Sequence, residues 1–271
     1  MAHSGATPTR MVPESRNKVY WALSDSVTLS KRSIKHISRN IDQLLSAVIQ
    51  PIMFMVLFAF IFGGAIDTGG TSYVNFLTAG ILVQTAAFGA TTTAVSLKVD
   101  LQRGIVDRFR SLPMFSPALL IGHVTADLAR NMVSAVIMVA VAFVIGFRPT
   151  ASLIEWALVI ALLLVFTMAF SWLSAVAGLL ASSVEAVQWL SFFVIFPLTF
   201  ASSAYVPTET MPGILRWFAE NQPVTHVVNA MRGWMVGTPV GDHAWLAFLW
   251  CFGILAVSIP VTTWLFRHGT D

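Results

Sequence analysis

Apolar runs of about twenty residues recur along most of this chain, and a run of that length is what a helix needs to cross a hydrocarbon layer about 30 Å thick. Inside such a layer no water satisfies backbone N–H and C=O groups, so each run must be a helix that satisfies its own. Composition agrees. Of 271 residues, 56% are hydrophobic and 11% are charged, with mean hydropathy +0.75, whereas a soluble domain carries about 25% charged residues. The expected fold is an all-α membrane protein with six transmembrane helices and no soluble domain of its own. The net charge is only +3, and the basic residues stand beside the apolar runs instead of forming one face, so no nucleic-acid partner is expected. Cys251 is the only cysteine. It can form no intrachain disulfide, and in its apolar run it reads as a small buried hydrophobe.

The chain divides into a cytoplasmic arm, residues 1–43, and a membrane domain, residues 44–271. Residues 1–15 are polar, with Ser, Thr and Pro, and read as disordered. Tyr20, Leu23, Val27, Ile34, Ile37 and Ile41 then follow helical spacing, with Lys31, Arg32, Lys35 and Arg39 off that stripe. This is the pattern of a basic amphipathic helix lying in the headgroup plane. The first apolar run begins near Leu44, behind the polar arm, so a secretory signal peptide is not expected. Spans are expected at about 44–63, 73–97, 117–146, 153–181, 187–206 and 244–266. Pro51 should kink or loosen the first of them. The stretch from Tyr205 to Asp242 is too interrupted by Pro and Gly to span, yet it carries Ile214, Leu215, Trp217, Phe218 and Trp234. Short interfacial or re-entrant helices suit it.

Lys and Arg placement sets the orientation. With the N-terminus inside, seven basic residues of the arm, four at Lys98, Arg103, Arg108 and Arg110, and Arg267 in the tail face the cytoplasm. Arg148, Arg216 and Arg232 face outside. Twelve against three predicts an even number of spans in the plasma membrane, with both termini cytoplasmic. The charged segment after the second span then lies in the cytoplasm. Leu101, Ile105, Phe109 and Leu112 recur on one helical face there, among Asp100, Arg103, Asp107, Arg108 and Arg110. Leu112-Pro113 stops that helix, and Ser116-Pro117 reads as the cap and first position of the next. Such a helix lies on the membrane face or docks on a partner, and the reading adopted is a docking helix over 99–112.

Several stretches resemble the membrane subunits of ATP-driven exporters of the ABC-2 type, above all the daunorubicin/doxorubicin-resistance permeases of actinobacteria. They are D-L-Q-R-G-I-V-D-R-F-R-S-L-P at 100–113, A-D-L-A-R at 126–130, E-A-V-Q at 185–188, F-P-L-T-F-A-S-S-A-Y-V-P-T-E-T-M-P at 196–212 and N-Q-P-V-T-H at 221–226. The resemblance implies two permease subunits, identical or different, working with two separate cytoplasmic ATPase subunits. It also implies that the loop between spans two and three contacts the ATPase, and that extracellular helices lie between spans five and six. Leu101, Arg103, Ile105, Asp107, Arg108, Phe109 and Arg110 are the candidate ATPase-coupling residues.

No G-x-x-x-x-G-K-[ST] phosphate cradle occurs in the sequence. The chain is therefore expected to be no enzyme, with no cofactor or metal of its own, and ATP and Mg are expected on the partner ATPase. His123, Asp127 and Arg130 share a helical face; Asp127 and Arg130 can pair within the membrane, and a structural pair snorkelling at the cytoplasmic end is favoured over a proton relay. Gln84, Phe88, Gln188, Phe192, Phe196 and Thr199 are candidates to line a path for a small hydrophobic substrate; lipid contact or helix–helix bonding is the bland alternative for each. Glu185 reads as a helix-start acid for span five. Ser174 and Gly178 form a small-xxx-small pair for close packing. Ser203, His226 and Asp242 could suggest a triad, but no G-x-S-x-G elbow accompanies them and a hydrolase is not expected. Export of a hydrophobic or amphipathic drug is the reading adopted. Lipid or glycan export by the same architecture is its alternative, as is an ATP-independent carrier using Asp127 and Arg130.

Overall fold

The computed structural model describes residues 41–66, 68, 70–104 and 118–268. The arm with its amphipathic helix, and most of the 99–112 segment, lie outside the described residues. Every described element is helical. α1 is Ile41–Leu57, continued by a π-helical turn Phe58–Phe62. α2 is Tyr73–Gln102, α3 Ala118–Ile145, α4 Leu153–Leu180 and α5 Val184–Phe200. A short 3-10 turn, Thr208–Thr210, leads to α6 at Gly213–Asn221, α7 at Pro223–Val236 and α8 at His243–His268.

The helix starts follow local chemistry. Ser72 and Ser183 accept hydrogen bonds from the Asn75 and Ala186 amides, and Ser152 forms a reciprocal capping box with Glu155. Glu185 stands in the first turn of α5. That helix therefore begins at Val184, inside the stretch read as a connection, and it ends at Phe200 where a span to residue 206 was expected. Pro197 cannot donate to the helical ladder, and the chain leaves the helix one turn later. At α7, Gln222 caps the Val224 amide, Pro223 takes the first position, and Gly237 closes the helix at φ +76°.

Among the described residues, four helices are long and apolar enough to cross a membrane: Tyr73–Gln102, Leu119–Ile145, Leu153–Leu180 and His243–Phe266. The apolar helices Val48–Phe62 and Val184–Phe200 are shorter. α2 is the centre of the fold. It buries 67% of its most apolar window, against 22–39% for the other three long helices, and it packs on α1, α3, α4, α5 and α7. Small residues permit this. A Cβ on Gly178 would stand 2.7 Å from the Ala94 carbonyl oxygen, so α4 and α2 touch through backbone beside Ser174. A Cβ on Gly80 would stand 2.1 Å from the Ala204 carbonyl oxygen, so the segment after α5 lies directly on α2. Cys251 is fully buried.

The cytoplasmic-side reading of residues 99–112 changes in one respect. α2 continues to Gln102, and Gly104 then turns the chain at φ +66°. Leu101 thus belongs to the last turn of the long helix and not to a separate docking helix.

Candidate functional site

Two consecutive turns of α3 carry a buried polar cluster. Asp127 is 1% exposed and Arg130 6%. Arg130 Nη2 donates to Asp127 Oδ1 and, at 3.2 Å, to the Gly89 carbonyl of α2. Asn131 Nδ2 donates to Asp127 Oδ1 at 3.0 Å, and Ser171 of α4 donates to Asp127 Oδ2. The carboxylate is thus held by three donors from two helices. The pair is enclosed by protein, where a snorkelling pair at the membrane face was favoured. Removing both charges from water is repaid only by this closeness and completeness of bonding. Gly89 is required for the approach, since a Cβ there would stand 2.4 Å from Asn131 Oδ1. His123 takes no part in the cluster. Its Nε2 lies 3.1 Å from Asp100 Oδ2, linking α3 to the end of α2.

Next to the pair is a pocket of about 160 Å³ between α1, α2 and α3. Its walls are Gln50, Pro51 and Phe54 from α1, Gln84, Thr85, Phe88, Gly89 and Thr92 from α2, and Arg130 and Asn131 from α3. Gln84 is 4% exposed, and its side-chain nitrogen has no hydrogen-bond partner among the described residues. A cavity of about 150 Å³ takes one benzene-sized ring, so the pocket has room for one ring-sized group.

Of the residues singled out as a path, Gln84 and Phe88 meet at this pocket. Gln188, Phe192 and Phe196 do not: they lie exposed on α5 of the single chain. Thr199 is buried, and its hydroxyl donates to the Ile195 and Phe196 carbonyls of its own helix. Phe192 and Phe196 belong instead to a ladder of stacked rings. Centroids are 4.9 Å apart for Phe192–Phe196, 4.3 Å for Phe196–Phe200, 5.0 Å for Phe200–Tyr205 and 4.5 Å for Tyr205–Phe58. Phe54 lies 6.0 Å from Phe58 and 6.3 Å from Phe200, so the ladder ends at the pocket wall. Among the coupling candidates, Leu101 packs against the core and Arg103 is exposed. Ile105, Asp107, Arg108, Phe109 and Arg110 lie outside the described residues.

A second polar cluster joins α7 to α2. Arg232 is 8% exposed. Nε donates to the Phe76 carbonyl at 3.0 Å, Nη1 to Asn229 Oδ1 at 2.8 Å and Nη2 to the Ser203 carbonyl at 2.6 Å. The guanidinium carbon stands 3.5 Å from the centre of the Phe76 ring. Ser203 also donates to Asn229 Oδ1 at 2.7 Å, so the Asn229 nitrogen turns toward His243 Nε2, 3.4 Å away. His243 Nδ1 stands 2.9 Å from His226 Nδ1, within hydrogen-bond distance. Ser203, His226 and Asp242 therefore form no triad, and burial pushes His226 below the usual imidazole range, with His243 acting in the same direction.

The family model of the ABC-2 type transporter matches residues 25–236. Daunorubicin resistance ABC transporter permease protein DrrB1 of Streptomyces coeruleorubidus is 32% identical over 247 residues, 91% of this chain and 87% of that protein. The probable doxorubicin resistance ABC transporter permease protein DrrC of Mycobacterium tuberculosis is 26% identical over 269 residues, 97% of this chain and 95% of that protein. The inner membrane transport permease YadH of Escherichia coli strain K12 is 22% identical over 249 residues, covering 89% and 91%. With a family match over most of its length and helices suited to hydrocarbon, the chain is an integral membrane protein belonging to the ABC-2 type transporter family.

Proposed function

We propose that the chain is the membrane-spanning permease subunit of an ATP-driven exporter that moves a hydrophobic or amphipathic drug-like molecule out of the cell. The observation that carries this reading is the likeness to a daunorubicin-resistance permease over nine-tenths of the chain. α1 with its π turn and α5 serve as the two short spans beside the four long helices, giving six spans with both termini cytoplasmic. A second permease subunit and two ATPases complete the transporter, and ATP and Mg bind the ATPases.

The geometry supports a mechanical role for α2. Thirty helical residues extend about 45 Å at 1.5 Å per residue. One rigid element therefore joins Leu101 and Arg103, at the end next to the coupling candidates, to the pocket residues Gln84 and Phe88. A push on the segment Ile105–Arg110 by a closing ATPase would tilt α2 and reshape the pocket between α1, α2 and α3. The Phe109→Ala, Arg108→Ala double variant should leave insertion near normal. It should weaken co-purification with the ATPase about thirtyfold, because truncating a buried interface aromatic costs about 2 kcal/mol or more. Export should fall with it. Normal ATPase binding and normal export would reject the coupling role.

A further inference from the structure

We infer that Asp100 and His123 are positioning residues for the export cycle: their bond ties the end of α2 to the start of α3, so that the two helices take the ATPase stroke as one body and move against α1. The inference rests on the export reading and gives a task within it to two residues that neither the pocket nor the buried cluster uses.

Local chemistry gives neither residue a reason to be where it is. Asp100 stands in the last turn of α2, where the helix dipole opposes an acid. Arg103 follows three residues on, at the spacing of a helical pair. Among the described residues, however, the ion-pair partner of Asp100 is His123, and Arg103 lies exposed. His123 interrupts the apolar opening of α3, A-L-L-I-G-H-V. Asp127, one turn further along, already accepts from Arg130, Asn131 and Ser171. What the two residues have is each other. His123 Nε2 lies 3.1 Å from Asp100 Oδ2, with side chains 15% and 22% exposed. A carboxylate only accepts, so Nε2 carries the proton. Partial shelter from water makes this bond stronger than one between exposed side chains.

Its position makes the bond mechanical. α2 and α3 are tied a first time where Arg130 donates to the Gly89 carbonyl and Asn131 fills the space that a Gly89 Cβ would take. Asp100 stands three turns beyond Gly89, about 16 Å along the axis at 1.5 Å per residue. A single tie is a pivot, about which two helices splay when the chain joining them is pushed. A second tie at that distance opposes the rotation, and it sits at the end where the joining chain, 103–117, leaves α2 and enters α3. The push then displaces both helices against α1, which packs on each of them. α1 is the compliant partner. Pro51 lies inside it and a π-helical turn follows it, two places where the regular ladder is interrupted. The pocket therefore changes at its α1 wall, Gln50, Pro51 and Phe54, while its α2 and α3 walls keep their spacing.

The test uses the full chain with its ATPase in proteoliposomes at neutral pH, with a fluorescent amphipathic drug as probe, and reads drug moved per ATP hydrolysed. His123→Leu and Asp100→Leu should each lower that ratio about fivefold, within the range for a single coupling contact, with ATPase co-purification unchanged. A merely structural bond would lower the melting midpoint and leave the ratio of the assembled transporter alone. His123→Gln, whose Nε2 still donates, should keep most of the ratio. The exchange Asp100→His, His123→Asp restores the pair and puts the acid near a helix start and the base at a helix end. It should therefore fold at least as well as wild type and recover the ratio. A ratio unchanged in both leucine variants, a loss that neither the glutamine nor the exchange recovers, or leucine variants that no longer assemble would each overturn the inference. The two readings fail separately: export that needs no ATP sinks the exporter, whereas ATP-driven export with an unchanged ratio sinks the tie.

Discussion

Arg130 and Arg232 are both more than nine-tenths buried, and their surroundings differ in kind. Arg232 makes no ion pair among the described residues, although the Glu209 charge acts on it from farther off, yet all three of its nitrogens donate, to Phe76, Ser203 and Asn229, and its face rests on a ring. Arg130 has its carboxylate, yet only one nitrogen donates. The first arrangement is a clamp. It fastens α7 and the chain after α5 onto α2, through the main-chain carbonyls of Ser203 and of Phe76 in the first turn of α2. The second arrangement is balanced in charge and lines a pocket.

The comparison breaks most visibly if one charge of the Asp127–Arg130 pair is removed. Asp127→Leu leaves the guanidinium uncompensated inside a span and should cost about 3–5 kcal/mol, the scale for breaking a buried pair. Thermal unfolding in detergent and the yield of monodisperse protein report it. The double variant Asp127→Leu, Arg130→Met should recover much of that loss, because no charge remains buried. Next in size is Arg232→Met, which removes the three hydrogen bonds that the guanidinium donates. It should cost about 3 kcal/mol from hydrogen bonds to a charged group, and Arg232→Lys should restore little of it, since an ammonium cannot reach three acceptors in a plane. Protease sensitivity within α6 and α7 should rise in both. Gly80→Ala tests the same clamp from the α2 side. Overpacking against the Ala204 carbonyl should cost about 1–3 kcal/mol, measured as a lower melting midpoint.

The smallest effect is on pH dependence. The facing Nδ1 atoms of His226 and His243 share one proton at 2.9 Å, and His226 is pushed below its ordinary value of 6.5. A base whose folded value is lowered binds more protons when unfolded, so stability is complete above about 6.5 and falls as pH drops below it. Melting midpoints recorded downward from neutral pH should show this decline, and His226→Gln should flatten it. A slope unchanged in that variant would place the titration elsewhere.

How much of this was legible in the sequence differs between the two arginines. Asp127 and Arg130 stand three residues apart in an apolar run, so their pairing is a local signal. Ser171, which completes the carboxylate, is 44 residues away from Asp127 and has no such signal. Arg232 reads in the sequence only as a basic residue of an outer loop. Its acceptors are main-chain carbonyls, one of them 156 residues distant, and carbonyls have no sequence signature. The available hint was the series His226, Asn229 and Arg232 at three-residue intervals on a helix opened by Pro223. Helix starts were legible because Ser72, Ser152 and Ser183 act on amides within one turn. The ends of α2 and α5 were less so, because Lys98 reads as the start of a charged island although the helix runs on to Gln102. The aromatic ladder escaped in part for the same reason as Arg232. Phe192 and Phe196 are visible as spaced rings, whereas Phe200, Tyr205 and Phe58 join them only through the meeting of α5 with the turn after α1.

The most direct test of the account is transport of a fluorescent amphipathic drug into inside-out vesicles carrying the chain and its ATPase, measured with ATP alone, with a proton gradient alone, and with both. The account predicts uptake that requires ATP and survives a proton uncoupler. Uptake driven by the proton gradient in the absence of ATP and abolished by the uncoupler would contradict it.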